Sequence, residues 1–293
     1  MPQALSLARD QGLVANDLDI PMTLLGVIAG GDPLRAACGT VLEESSGRLA
    51  AACAPQESVA LLAPIPRPAK NVFCVGSNYR AHVTEASRAQ KKADNVPAFP
   101  VFFSKPPTAV IGPGGTICLD PDVSEMLDYE VELGVVIGKA GRNIPAARAI
   151  DHVFGFTIIN DITARDLQRR HGGQFLKGKG LDSSCPMGPQ IVTIDELPNF
   201  ENLSIGLSVN GEPRQDGNTA SMMFTIPRLL ESLSEGMTLE PGDLLATGTP
   251  SGVGYAMDPP SFLKNGDVVT CEIEGIGRLE NTVAELEPEV RVA

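Results

Sequence analysis

The chain has 293 residues, 43% hydrophobic and 20% charged, which suits one large folded domain, or a large one with a small companion, and argues against disorder. A formal net charge of -13 and a pI near 4.7 argue against a nucleic-acid partner, whose phosphates require clustered Lys and Arg. No apolar stretch reaches the ~18–20 residues that span a bilayer, and "MPQALSLARD" lacks the basic start and apolar core of a secretory leader, so the expectation is a soluble cytoplasmic protein.

Residues 1–68 read as a small N-terminal domain, with strands expected at "MTLLGVIAGG" and "GRLAAA". The three prolines of "APIPRPAK" (63–70) suit an extended linker. The remainder, 69–293, reads as the catalytic part. It opens with the short strand "NVFCVG", a helix expected from about His82 to Lys92, and a second strand at "VFFS"; the polar middle of this region is a candidate lid. Strands follow at "TICLD" and "DYEVELGVVIGK". A further strand over about residues 153–159 ends in Asn160-Asp161, after which Thr163 is placed to cap a short helix running to Arg170. "LSIGLSVNGEPRQDG" offers a strand with an Asn-Gly turn, "TIPRLLESLSEG" a helix with an early Pro and a Gly stop, and "GDLLATG", "DVVTCEIEG" and "GRLENTVAE" the closing strands. Many strands, few short helices and no regular βαβ alternation predict a mostly β protein of α+β class with mixed pairing, not a Rossmann fold or a TIM barrel.

The six cysteines have no C-x-x-C spacing and read as reduced core residues; Cys185, in "DSSCPMGP", has no histidine near it in sequence and reads as packed rather than nucleophilic. The chemistry concentrates elsewhere. Glu130 and Glu132 lie two apart, on one side of a strand whose other side carries Val131, Leu133, Val135 and Ile137. Such a pair in isolation is more often a strand end in solvent. With Asp161 ending a second apolar strand, however, three carboxylates suit a hard cation, Mg²⁺ or Mn²⁺. His82 and Glu85 fall three apart on a helix, so a carboxylate could orient an imidazole as a general base; the plainer alternative is a surface pair. His152 and His171 read as structural or exposed. The backbone N–H groups of the Gly-rich "TGTPSGVG" could bind a carboxylate, and Lys177 or Lys179 could sit beside an anionic substrate.

Taken in order, "VGSNYRAHVTEA", "PVFFSKPPTAVIGPG", "LDYEVELGVVIGK", "GFTIINDITARDLQ", "KGKGLDSSCPMGP", "VNGEPRQDG", "GDLLATGTPSGVG" and "IEGIGRLENTV" resemble the fumarylacetoacetate hydrolase superfamily over about residues 69 to 284. The resemblance implies a mixed β-sandwich roll, generally a homodimer. It implies that Glu130, Glu132 and Asp161 hold Mg²⁺ or Mn²⁺, that His82 and Glu85 form the lid dyad, and that Lys179 joins them in catalysis. Arg165, Gln168, Thr249 and the lid residue Tyr79 are then expected to bind substrate. The leading expectation is metal-dependent hydrolysis of a 2,4-dioxo acid, such as an acylpyruvate or fumarylpyruvate, to pyruvate and a carboxylic acid in aromatic catabolism. The alternatives are oxaloacetate decarboxylation and 2-hydroxyhepta-2,4-diene-1,7-dioate isomerisation.

Overall fold

The computed structural model describes residues 2–55, 58–93 and 96–285; Asp94 and Asn95, in the expected lid region, lie outside them. The chain is mostly β with short helices. A mixed seven-stranded sheet runs, in spatial order, through Val101–Lys105, Val72–Gly76, Leu244–Ala246, Val131–Ile137, Val153–Asn160, Cys185–Thr193 and Val110–Ile111. A five-stranded sheet runs through Glu212–Asn218, Ser204–Val209, Val268–Ile273, Gly277–Glu285 and Thr116–Leu119. Among the described residues no helix is long and apolar enough to cross a membrane.

Val131–Ile137 is buried along its whole length because apolar layers cover both of its faces. Val131, Leu133, Val135 and Ile137 join the larger core, whereas Val136 packs in a second cluster with Val72, Cys74 and Leu244. Each such side chain contributes roughly 1.5–3 kcal/mol on burial, which pins the register of the strand. That register builds the site. Val131 pairs with Asn160 and Glu132 with Ile159, and Asp161 N–H donates to the Glu130 carbonyl at 2.8 Å. Two strand ends therefore lie side by side, and the acids they carry converge.

The expected Asn-Gly turn joins two strands, Ser204–Val209 and Glu212–Asn218, with Asn210 and Gly211 both at positive φ, the geometry a two-residue turn demands. The helix Ile226–Ser234 carries Pro in its first turn, and Gly236 follows it at φ +73°. The lid helix spans Arg80–Ala89, two residues ahead of its expected start.

Other expectations are corrected. The N-terminal region is helical, not β: Pro2–Asp10, Leu24–Ala29 and Gly31–Glu43 are helices, and "GRLAAA" forms a 3₁₀ turn at Ala50–Ala52. Thr23 Oγ1 accepts the Gly26 N–H at 3.1 Å and starts the second helix. Ala37 and Val41, four residues apart on one helix face, pack with Leu5 and Ala8. The expected linker is part of the core, since Ala63 and Ile65 are buried with Ile28, Val72 and Cys74. Thr163 caps no helix; it forms a short bridge strand and donates to the Asp161 carbonyl, and Arg165–Arg170 starts without a side-chain cap. "CPMGP" opens the strand Cys185–Thr193, which accommodates Pro189 at a register shift between Gly188 and Val192.

Candidate active site

The three expected metal ligands meet. Glu130, Glu132 and Asp161 are all buried, and each offers one oxygen within 4.8 Å of those of the other two. Each carboxylate is also engaged by the protein through one oxygen. Glu130 Oε1 lies 2.7 Å from Arg165 Nη2, Glu132 Oε2 accepts the Gly248 N–H at 2.7 Å, and Asp161 Oδ1 accepts from Lys105 Nζ at 2.7 Å. Lys179 Nζ bridges the second oxygens of two of them, 2.6 Å from Glu130 Oε2 and 2.7 Å from Asp161 Oδ2.

The electrostatics separate the acids. Burial pushes Glu130 up, but Lys179, Arg165 and His82 together outweigh it and hold the carboxyl at about 2. Glu132 is pushed well above the usual range by burial and by the charges of Asp161 and Glu130. Burial lowers Lys179, but Asp161 and Glu130 raise it more, so it is an ammonium and not a base. Three buried hard-oxygen donors, one of them without a direct cation contact, fit a divalent cation of the Mg²⁺ or Mn²⁺ kind.

The His82–Glu85 dyad also forms. His82 Nδ1 lies 2.9 Å from Glu85 Oε1, and Glu85 Oε2 accepts the Gly252 N–H at 2.8 Å, which ties the lid helix to the "TGTPSGVG" loop. That loop binds carboxylates, but they are the protein's own. Gly248, Gly252 and Gly254 donate to Glu132, Glu85 and Asp128.

One cavity of about 880 Å³ is lined by His82, Glu130, Glu132, Lys179, Gln168 and Thr249, together with Arg165. Of the two lysines of the loop, Lys179 lines it and Lys177 is exposed outside it. Two expected substrate binders are committed elsewhere. Arg165 is 3% exposed, with Nε donating to Asp128 Oδ2 at 2.8 Å and its guanidinium stacked 4.3 Å from the Tyr255 ring centre. Its main contacts hold Glu130 and Asp128. Tyr79 is 2% exposed and does not line the cavity; its hydroxyl finds no acceptor among the described residues. Thr249 donates to the Val131 carbonyl at 2.8 Å. Cys185 is buried and pushed up to about 12 by burial, so it offers no thiolate. His171 is exposed, and His152 bonds the Lys139 carbonyl at 2.9 Å.

Three supporting residues escaped the sequence reading. Lys105 and Asp128 hold Asp161 and Arg165, and Gln215 bonds both Val131 N–H and Thr249 Oγ1. A lone Lys closing the apolar run "VFFSK", and an Asp two residues before the Glu pair, were the available signals.

Residues 71–284 match the family described as fumarylacetoacetate (FAA) hydrolase C-terminal. The chain belongs to the fumarylacetoacetate hydrolase family. Across 267 residues it is 47% identical to oxaloacetate tautomerase YisK of Bacillus subtilis (strain 168), covering 90% of this chain and 87% of that one. Among solved structures, the fumarylacetoacetate hydrolase of Exiguobacterium antarcticum superposes with a TM-score of 0.76 at 43% identity, over 90% of this chain and 88% of that one. The 2-hydroxyhepta-2,4-diene-1,7-dioate isomerase of Mycobacterium marinum gives a TM-score of 0.67 at 39% identity, over 79% and 80% of the two chains. These relatives favour tautomerase and isomerase chemistry over the leading expectation of acylpyruvate hydrolysis.

Proposed function

We propose that the protein interconverts the keto and enol forms of a 2-oxo dicarboxylic acid, with oxaloacetate as the best-supported substrate. The observation that carries this reading is that an imidazole held by a carboxylate, a fixed ammonium and three convergent carboxylates all border one cavity. The family's tautomerase relative supports the substrate.

Glu130, Glu132 and Asp161 would hold the divalent cation. Bound there, it would polarise the 2-keto group and offset the negative charge of an enolate. With Glu85 accepting Nδ1–H, the neutral His82 ring keeps its Nε2 lone pair for the cavity. Nε2 takes a proton from C3; the C–H pair becomes the C2–C3 double bond, and the carbonyl pair moves onto O2. The Lys179 ammonium stabilises O2 by hydrogen bonding, and return of the proton from His82 to O2 completes the enol and restores the neutral base. The reverse steps return the ketone, and no oxidant or water is consumed. Arg169 and Lys92 border the same cavity and supply positive charge for a second carboxylate.

The test follows the ultraviolet absorbance of enol-oxaloacetate with Mg²⁺ or Mn²⁺, before and after chelation. Decay accelerated by the loaded protein and restored to the spontaneous rate by chelator or by His82→Ala is expected. Equal decay with and without loaded protein overturns the reading.

A second reading, hydrolysis of a 2,4-dioxo acid, draws on the cavity volume of about 880 Å³, ample for a longer acyl chain. There, His82 would instead take a proton from water attacking the distal carbonyl, and pyruvate would leave as its enolate. A panel of acylpyruvates, oxaloacetate and the heptadienedioate, assayed side by side, separates hydrolysis, decarboxylation and isomerisation.

A further inference from the structure

Lys105 ends the edge strand Val101–Lys105 and is 0% exposed, a full positive charge folded into the molecule. Burying an ammonium costs several kcal/mol unless its hydrogen-bonding capacity is used. Lys105 uses all of it. Nζ donates to Asp161 Oδ1 at 2.7 Å, to the Ile162 carbonyl at 3.0 Å and to the Lys179 carbonyl. Two of these acceptors belong to Asp161 and Lys179, yet Lys105 itself does not line the cavity.

We propose that Lys105 is a positioning residue that limits Asp161 to a single metal-binding oxygen and so keeps a coordination position open for substrate. The proposal rests on the reading that the acid triad holds a divalent cation. An aspartate can bind a metal through one oxygen or two, and Mg²⁺ or Mn²⁺ takes about six donors. Lys105, fixed by three acceptors away from the cavity, keeps Oδ1 occupied, whereas the ammonium on Oδ2 is that of Lys179, which borders the cavity and turns aside for an entering divalent cation. Arg165 engages Glu130 Oε1 and the Gly248 N–H engages Glu132 Oε2, so each carboxylate has one oxygen held by a group outside the triad and one for the cation. Roughly three positions then remain, two of which a 2-oxo acid needs for its carboxylate and keto oxygens. Lys105 also ties down the main chain of Lys179 and thereby its ammonium. A buried cation serving only stability would need an acceptor, but not these two.

The test uses the full chain saturated with Mn²⁺ and no substrate, reading water-proton relaxation per bound ion. Lys105→Met frees Oδ1, so Asp161 turns both oxygens to the ion and roughly one of three exchangeable waters is lost. Oxalate, a two-oxygen chelator, should then bind roughly 10-fold more weakly. Lys105→Leu, which likewise carries no donor, gives the same readout if Lys105→Met does not fold. Unchanged relaxation and oxalate affinity beside a lowered melting temperature would make Lys105 merely structural and overturn the proposal. Native protein that fails to retain Mn²⁺ would overturn the metal reading together with it.

Discussion

Asp128 Oδ2 accepts the Nε–H of Arg165 at 2.8 Å, with side chains 0% and 3% exposed, and Arg165 in turn reaches Glu130. Asp128 also accepts the N–H groups of Gly254 and Tyr255, so one carboxylate joins the helix that carries Arg165 to the end of the Gly-rich loop. Asp128→Ala strands a buried guanidinium and is expected to cost about 3–5 kcal/mol. The urea midpoint measures the loss, and a change under ~1 kcal/mol would show that this link does not organise the site.

Gly248 has φ +99°, and a Cβ there would stand 2.8 Å from Asn78 Cβ. Both strain and collision would push its N–H away from Glu132. Gly248→Ala is expected to lose roughly 1–3 kcal/mol of stability and to weaken metal binding. Thermal unfolding with and without Mg²⁺ reads both; a native melting temperature in both conditions would refute it.

Much of this architecture was legible in the sequence, for physical reasons. Glu130, Glu132 and Asp161 sit at the ends of strongly apolar strands whose pairing leaves little choice of register. The Asn210-Gly211 turn likewise announces its hairpin. Other features were hidden. The N-terminal helices begin and end at glycines and polar caps inside short apolar runs that strand and helix share, so "MTLLGVIAGG" gave no period to read. Prolines disguised Cys185–Thr193. Lys105 and Asp128 matter through partners more than 30 residues away in sequence, and spacing along a chain carries no trace of such contacts. For Arg165, the motif marked a site residue, but only burial shows it engaged with Asp128 and Glu130.

Burial, then Asp161 and Glu130, hold the Glu132 carboxyl well above its ordinary 4.5. A carboxyl raised on folding keeps a proton that the unfolded chain sheds. Its stabilising contribution is complete below about 4.5 and is lost as pH rises toward the folded value. Glu130, held at about 2, runs the other way: its contribution is present above 4.5 and is lost as pH falls toward 2. Above pH 4.5, chelator-treated protein should therefore lose stability as pH rises toward the folded value of Glu132, and saturating Mg²⁺, which takes the place of the proton, should reverse the trend. A melting temperature that climbs with pH in the metal-free protein would contradict this assignment.

Glu85 holds His82 through one oxygen and the Gly252 N–H through the other. Glu85→Gln retains the shape but removes the charge that favours Nδ1–H. Turnover of enol-oxaloacetate is expected to fall roughly 10- to 100-fold, less than the ~10²–10⁴ that general acid–base catalysis supplies as a whole. Mn²⁺ affinity should stay within about twofold, because the dyad touches no metal-binding oxygen. Loss of both together would place Glu85 in the metal centre instead of beside the base.

The most direct test is a crystal soaked in Mn²⁺, with anomalous scattering used to locate the ion. The account predicts one strong peak among Glu130, Glu132 and Asp161, with one oxygen of each at roughly 2.0–2.2 Å. Well-ordered side chains with no peak between them, under Mn²⁺ that saturates the protein in solution, would contradict it.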